Sequence, residues 1–208
     1  MINSQIARHL LEVRAVKLRP EEPFTWSSGW LSPIYCDNRV TLSYPEVRTF
    51  IKNALADAIR QHFPTADIIA GVATAGIAQG ALVADVLNLP YCYVRPEPKK
   101  HGMGNQIEGR FEAGQRVVVI EDLISTGGSS LKVVEALRQA GADVLGMAAI
   151  FTYGFPLADE NFRNANVPLV CLSDYSALIE EAQRMNYVQA EQLSSLGAWR
   201  EDPGSWGR

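Results

Sequence analysis

The sequence predicts an α/β fold in which a parallel sheet is covered by helices on both faces, with a small cap region at the N-terminus. Two observations lead there. From residue 67 onward, short apolar runs alternate with segments of helical spacing, the pattern of strands joined by helical crossovers. Runs such as Val117–Ile120 are continuously apolar rather than alternating, as expected of strands buried on both faces. A length of 208 residues with 47% apolar content suits one domain with a sizeable core, spanning residues 1–208.

Taken in order, residues 4–18 read as an amphipathic helix with Ile6, Leu10, Val13 and Leu18 on its apolar side. Residues 19–42 are rich in aromatics and turn formers and read as a cap or short-strand region. Ser43-Tyr44-Pro45-Glu46 has the S-x-x-E form of a capping box, with proline in the first turn, where a missing N–H costs little. The helix it opens carries Val47, Phe50, Ile51, Leu55, Ala58 and Ile59 on one face and stops at Pro64. The alternation then runs strand Asp67–Val72, helix Ile77–Leu87, strand Tyr91–Arg95, strand Arg116–Glu121, helix Ser129–Ala140 and strand Val144–Phe151. A strand at Leu169–Leu172 and a helix at Ser176–Met185 complete it. Residues 96–109 interrupt it without apolar periodicity. A structureless stretch of that length in a compact domain is expected to be functional or disordered. The polar tail from Gly197 resists assignment.

Composition excludes several classes. A net charge of −4 argues against nucleic acid or a membrane surface as partner. No run approaches the ~18 apolar residues of a spanning helix, and the N-terminus lacks a signal-peptide core. Cys36, Cys92 and Cys171 are too scattered for a disulfide framework or a CxxC metal site. They read as packing residues in a reducing cytoplasm. His9, His62 and His101 have no metal-ligand spacing.

The chemistry concentrates after Ile120. Glu121-Asp122 is followed by Ser125-Thr126-Gly127-Gly128-Ser129 and a helix. Small residues let backbone approach a phosphate closely, and the helix presents its positive end. The loop is neither a Walker loop nor a GxGxxG fingerprint. Two carboxylates would repel a polyphosphate, but they suit the cis-diol of a ribose. They would also favour a sugar ring that gains positive charge as its C1 bond breaks. A Mg²⁺ ligand pair or a solvated acidic turn remain as alternatives.

The run from Val117 to Ser129 resembles the PRPP-binding signature of type I phosphoribosyltransferases, a hydrophobic strand, two acids and T-G-G-S. Phe24–Gly29, Ser32–Arg39, Gly71–Ile77 and Tyr93 to Gly102 resemble the bacterial orotate phosphoribosyltransferases in particular. The likeness spans residues 1–185. It implies the type I phosphoribosyltransferase fold with a hood drawn mainly from residues 1–42 and the C-terminal part. The implied activity is transfer of ribose 5-phosphate from PRPP to orotate, dependent on Mg²⁺ held mainly by PRPP. The implied assembly is a homodimer in which residues 96–109 form a mobile lid over the neighbouring active site.

The resemblance also assigns residues. Arg95, Lys99, His101 and the stretch Glu121, Asp122, Leu123, Ile124, Ser125, Thr126, Gly127, Gly128 and Ser129 would bind PRPP. Lys99, His101 and Asp122 would be catalytic, with lid cations stabilising the departing pyrophosphate while water is excluded. Ser125 would lie near orotate. Two further assignments come from side-chain chemistry: Arg39 could pair with the orotate carboxylate and Tyr35 could stack on its ring. Against this, Asp37 and Arg39 could simply pair with each other. Ala73–Gly76 would offer backbone amides to pyrophosphate or be only a tight turn. Leu31 stands where relatives commonly have lysine, and Pro96-Glu97-Pro98 where many carry basic residues. Two rival functions remain: a purine phosphoribosyltransferase of the same fold, and a non-catalytic PRPP-sensing regulator. The absence of a basic DNA-binding face disfavours the regulator.

Overall fold

A computed structural model of the chain describes residues 1–26, 29–95, 97 and 106–207. Its centre is a six-stranded sheet. The strands are β5 (Ile68–Val72), β6 (Tyr91–Val94), β7 (Ile107–Glu108), β8 (Arg116–Ile124), β9 (Asp143–Thr152) and β10 (Leu169–Asp174), in the order β10-β9-β8-β5-β6-β7. Five are parallel, and only β7 runs antiparallel, against β6. All five residues of β5 are buried, as are Val117–Ile120 of β8. The mostly parallel α/β architecture expected from the sequence is present.

The two apolar layers differ in their helices. One face of the sheet packs against α1 (Ile2–Glu12), α2 (Pro45–His62), α3 (Gly76–Leu87) and α6 (Tyr175–Arg184), meeting sheet residues Ile69, Val118, Ile120 and Ala148. The other packs against α4 (Gly128–Gln139) and α5 (Pro156–Asn164), meeting Val117, Val119, Met147 and Ala149. Successive strand residues point to opposite faces, so β8 supplies both layers. Full burial of each valine, isoleucine or methionine among these contributes about 1.5–3 kcal/mol relative to exposure.

The N-terminal cap is built from β1 (Val16–Leu18) paired with β4 (Ile34–Cys36), β2 (Phe24–Thr25) paired with β3 (Leu31–Ser32), and a 3-10 turn over Asn38–Ser43. Two expectations are corrected here. The helix expected over residues 4–18 ends at Glu12, because Arg14 takes a left-handed conformation at φ 57° and Val16–Leu18 join a strand. Ile6, Leu10, Val13 and Leu18 are all buried as expected, but Ile6 and Leu10 lie in α1, Val13 just past its end and Leu18 in β1. The capping box at Ser43 does not form either. Ser43 ends the 3-10 turn, and α2 starts after Tyr44, which makes no side-chain cap. Pro45 does occupy the first turn.

The chain end, unassigned from sequence, contains α7 (Leu193–Glu201). Among the described residues no helix is long and apolar enough to cross a membrane.

Candidate active site

The strand β8 runs to Ile124, three residues beyond its expected end, so Asp122 as well as Glu121 lies within the sheet and not in the following loop. Pairing of Glu121 with Ala149, and of Leu123 with Phe151, on β9 extends the ladder past the acids. Glu121 is 6% exposed, with Oε2 accepting from Ser130 Oγ at 2.8 Å and Oε1 from the Asp122 N–H at 3.0 Å. Asp122 is half-buried, and its backbone carbonyl accepts from Asn38 Nδ2 at 2.7 Å. Burial, first, and then the neighbouring Asp122 raise the Glu121 carboxyl above the usual range. Burial also raises Asp122, opposed by its contacts with Glu121 and by backbone N–H groups. Two close carboxyls in a dry setting resist simultaneous ionisation.

After Ile124 the chain turns through Ser125, Thr126 and Gly127 into α4. Gly127 has φ 80°, and a Cβ there would sit 2.5 Å from the Phe162 ring. Glycine is therefore required both by conformation and by the close approach of α5. Asn161 of α5 donates to the Thr126 carbonyl at 2.9 Å, fixing the turn from the side. Gly128 and Ser129 are exposed at the start of α4, where the first N–H groups lack intrahelical acceptors.

A second strand-to-helix turn lies beside it. Ala73–Ala75 link β5 to α3, the Ala73–Thr74 peptide is cis, and the Ala73 N–H donates to the Val94 carbonyl at 2.9 Å. A Cβ on Gly76 would come 2.5 Å from the Ile120 carbonyl. The bare glycine is what lets α3 start directly against β8. Arg95 follows β6 at the same end of the sheet and faces Glu108 at 3.7 Å.

Above the end of β8 lies a cavity of about 490 Å³ lined by Thr25, Trp26, Tyr35, Cys36, Leu123, Ser125 and Tyr153. It is the meeting point of cap, sheet and signature loop. Trp26 stacks on Tyr153 at 5.4 Å, and Phe24 lies 5.6 Å from Tyr35. Burial, with Asp122 and Asp37 nearby, pushes the Cys36 thiol well above its ordinary value, so it is held as a neutral wall. Burial likewise raises Cys92 to about 11 and Cys171 to about 12.

The structure thus brings Ser125 and Tyr35 to one cavity, with Asp122 close by. Arg39 is not among the lining residues. Its Nε and Nη2 donate to Asp37 at 2.7 and 2.9 Å, the pairing that the sequence left open. Lys99 and His101 lie outside the described residues. The sequence reading had no place for Asn38, Trp26 or Tyr153 in the site. Asn38 and Trp26 sat inside segments already singled out, but nothing local shows which side chains turn inward.

A family model described as the phosphoribosyl transferase domain matches residues 43–173. An orotate phosphoribosyltransferase of Cytophaga hutchinsonii is 60% identical over 202 residues, 97% of each chain. One from Streptococcus pneumoniae is 58% identical, over 97% of this chain and 96% of that one. The crystal structure of orotate phosphoribosyltransferase from Aeropyrum pernix superposes with a TM-score of 0.76 at 32% identity, covering 88% of this chain and 99% of that one. Signature, fold and near full-length identity agree: the chain belongs to the phosphoribosyltransferase family, among the orotate phosphoribosyltransferases.

Proposed function

We propose that the protein transfers ribose 5-phosphate from PRPP to orotate, giving orotidine 5′-monophosphate and pyrophosphate on the route to UMP. One observation carries the residue-level reading: the acid pair, the small-residue loop and the aromatic cavity converge at the end of β8. The 5′-phosphate would sit on Thr126–Ser129 at the positive end of α4. Asp122 and Glu121 would accept from the ribose hydroxyls. Each Glu121 oxygen already accepts one internal bond, which leaves capacity on each. Orotate would enter the cavity beside Ser125, between rings that suit a flat base. The bond from C1 to pyrophosphate breaks, and the ring nitrogen forms the new bond at C1 and gives up its proton to the departing pyrophosphate or to water. Carboxylate charge favours the positive charge that gathers on the sugar meanwhile.

The donor set suits Mg²⁺, which takes one or two carboxylates and completes its shell with phosphate oxygens and water. Glu121 and Asp122 offer two carboxylates and no cage, which favours an ion held mainly by PRPP. When bound it would neutralise charge on the leaving pyrophosphate. Arg95, Lys99 and His101 would do the same, the latter two from a lid reaching across a homodimer, shorter than the expected 96–109 because Ile107–Glu108 pair with β6 as β7. Arg39 would grip the orotate carboxylate only by giving up Asp37. Three free thiols support the cytoplasm as its compartment.

The test mixes purified protein, PRPP, Mg²⁺ and orotate and follows orotate's ultraviolet absorbance. Its loss, with stoichiometric pyrophosphate, is expected. Turnover of hypoxanthine or adenine in place of orotate would overturn the assignment.

A further inference from the structure

We propose that the C-terminal helix α7 shapes the base cavity, with Trp199 as a positioning residue for the base-binding rings. The cavity wall is assembled from segments far apart in the chain. Trp26 comes from the cap and Tyr153 from the segment after β9, and their stacked contact is backed by Trp199. Its ring centroid lies 5.7 Å from that of Trp26 and 5.5 Å from that of Tyr153, edge-on to both. Trp199 also meets Phe155 at 5.4 Å and Tyr175 at 5.3 Å, and is fully buried. Edge-to-face contacts fix ring orientation as well as position, so the tilt of both wall rings depends on where Trp199 sits.

The position of Trp199 is itself fixed by ties along α7. Tyr175 Oη donates to the Leu196 carbonyl at 3.0 Å, and Arg200 Nη1 donates to Ser176 Oγ at 3.2 Å. Trp206 Nε1 donates to the Ser195 carbonyl at 3.0 Å. The tail beyond α7 then lies on the cap. A Cβ on Gly204 would be 3.5 Å from Trp30, and one on Gly207 would be 3.1 Å from Leu31. Leu31 is thereby covered by the tail, which gives that apolar residue a partner in a cap strand. Cap, tail and the end of β9 thus meet around one indole.

The Trp199 indole N–H has no hydrogen-bond partner among the described residues. A buried unpaired donor is unfavourable, so ring packing and not a polar tie holds the side chain. Trp199→Phe therefore keeps an edge-on ring and removes the unpaired donor, while Trp199→Leu removes the ring.

The proposal rests on the cavity being the base site, and the experiment separates the two. Steady-state KM values for orotate and for PRPP are measured for wild type, Trp199→Leu, Trp199→Phe, Tyr175→Phe and Trp26→Leu, with melting temperatures alongside. Trp26→Leu tests the cavity itself and is expected to raise the orotate KM. Trp199→Leu is expected to raise it about tenfold with little change in the KM for PRPP, since both contacts with the wall rings are lost. Trp199→Phe should recover most of that loss. Tyr175→Phe, which only loosens α7, should give a smaller rise and serves if Trp199→Leu does not fold. An orotate KM that responds to Trp26→Leu but to none of the α7 variants would overturn the proposal. So would equal rises in both KM values, which mark a general loss of structure. If Trp26→Leu leaves the orotate KM unchanged, the base lies elsewhere and the premise fails.

Discussion

The two acids of β8 have different jobs although they are adjacent. Asp122 is half-buried beside the cavity, and its backbone is held by Asn38. Glu121 is almost fully enclosed and tied to Ser130. Asp122→Asn keeps the shape but loses the charge that favours a cationic sugar, so kcat should fall by about 10²-fold or more with little change in fold. Stopped-time pyrophosphate release and a melting curve check both halves. Glu121 makes a different prediction. Burial and Asp122 raise its carboxyl above the ordinary value of 4.5, so the folded state holds that proton more tightly than the unfolded chain. Its contribution to stability is complete below the ordinary value and declines as pH climbs above it. Glu121→Gln removes this decline. Urea unfolding from about pH 5 to about pH 8 should show a flatter profile for the variant than for wild type, and parallel profiles would refute it.

At the scale of elements, the strand–turn–helix unit β8–α4 is held from two sides. Residue 128 opens α4, and α5 closes on the turn through Asn161 and Phe162. The weak point is Gly127, at φ 80° and with no room for a Cβ. Gly127→Ala faces a left-handed backbone cost of about 1–2 kcal/mol, with the Phe162 clash added. The expected outcome is a lower melting temperature together with a raised KM for PRPP, since the same turn would cradle the 5′-phosphate. A variant that melts early but binds PRPP normally would detach the turn from phosphate binding. The helix α5 carries this argument, yet its proline start and short length hid it from periodicity, as the lack of an apolar stripe hid α7.

For the whole molecule, the active ends of β5, β6 and β8 lie along one end of the sheet, with the cap over the cavity at β8 and Trp199 of α7 behind its aromatic wall. A lid from a second copy would complete the site over pyrophosphate. The assembly is tested by mixing chains carrying Lys99→Ala with chains carrying Asp122→Ala. If the lid crosses between subunits, each mixed dimer keeps one intact site in two, so about half of wild-type activity per mixed dimer, and about a quarter for an equal statistical mixture, is expected. Mixtures as inactive as either parent would confine the site to a single chain.

Sequence alone determined the α/β class, the order of most strands and helices, and the family, because strand burial, helix periodicity and the Glu121–Ser129 signature are local patterns. It also placed Ser125 near the base through resemblance, and Tyr35 there through side-chain chemistry. Only the tertiary structure decided that the strand continues through Asp122 to Ile124, since β9 continues the ladder past the acids. It alone paired Arg39 with Asp37, enclosed Glu121 against Ser130, and set Trp199 behind Trp26 and Tyr153. Those outcomes depend on which residues distant in the chain pack together, and packing is a property of the assembled layers, which no window of sequence contains.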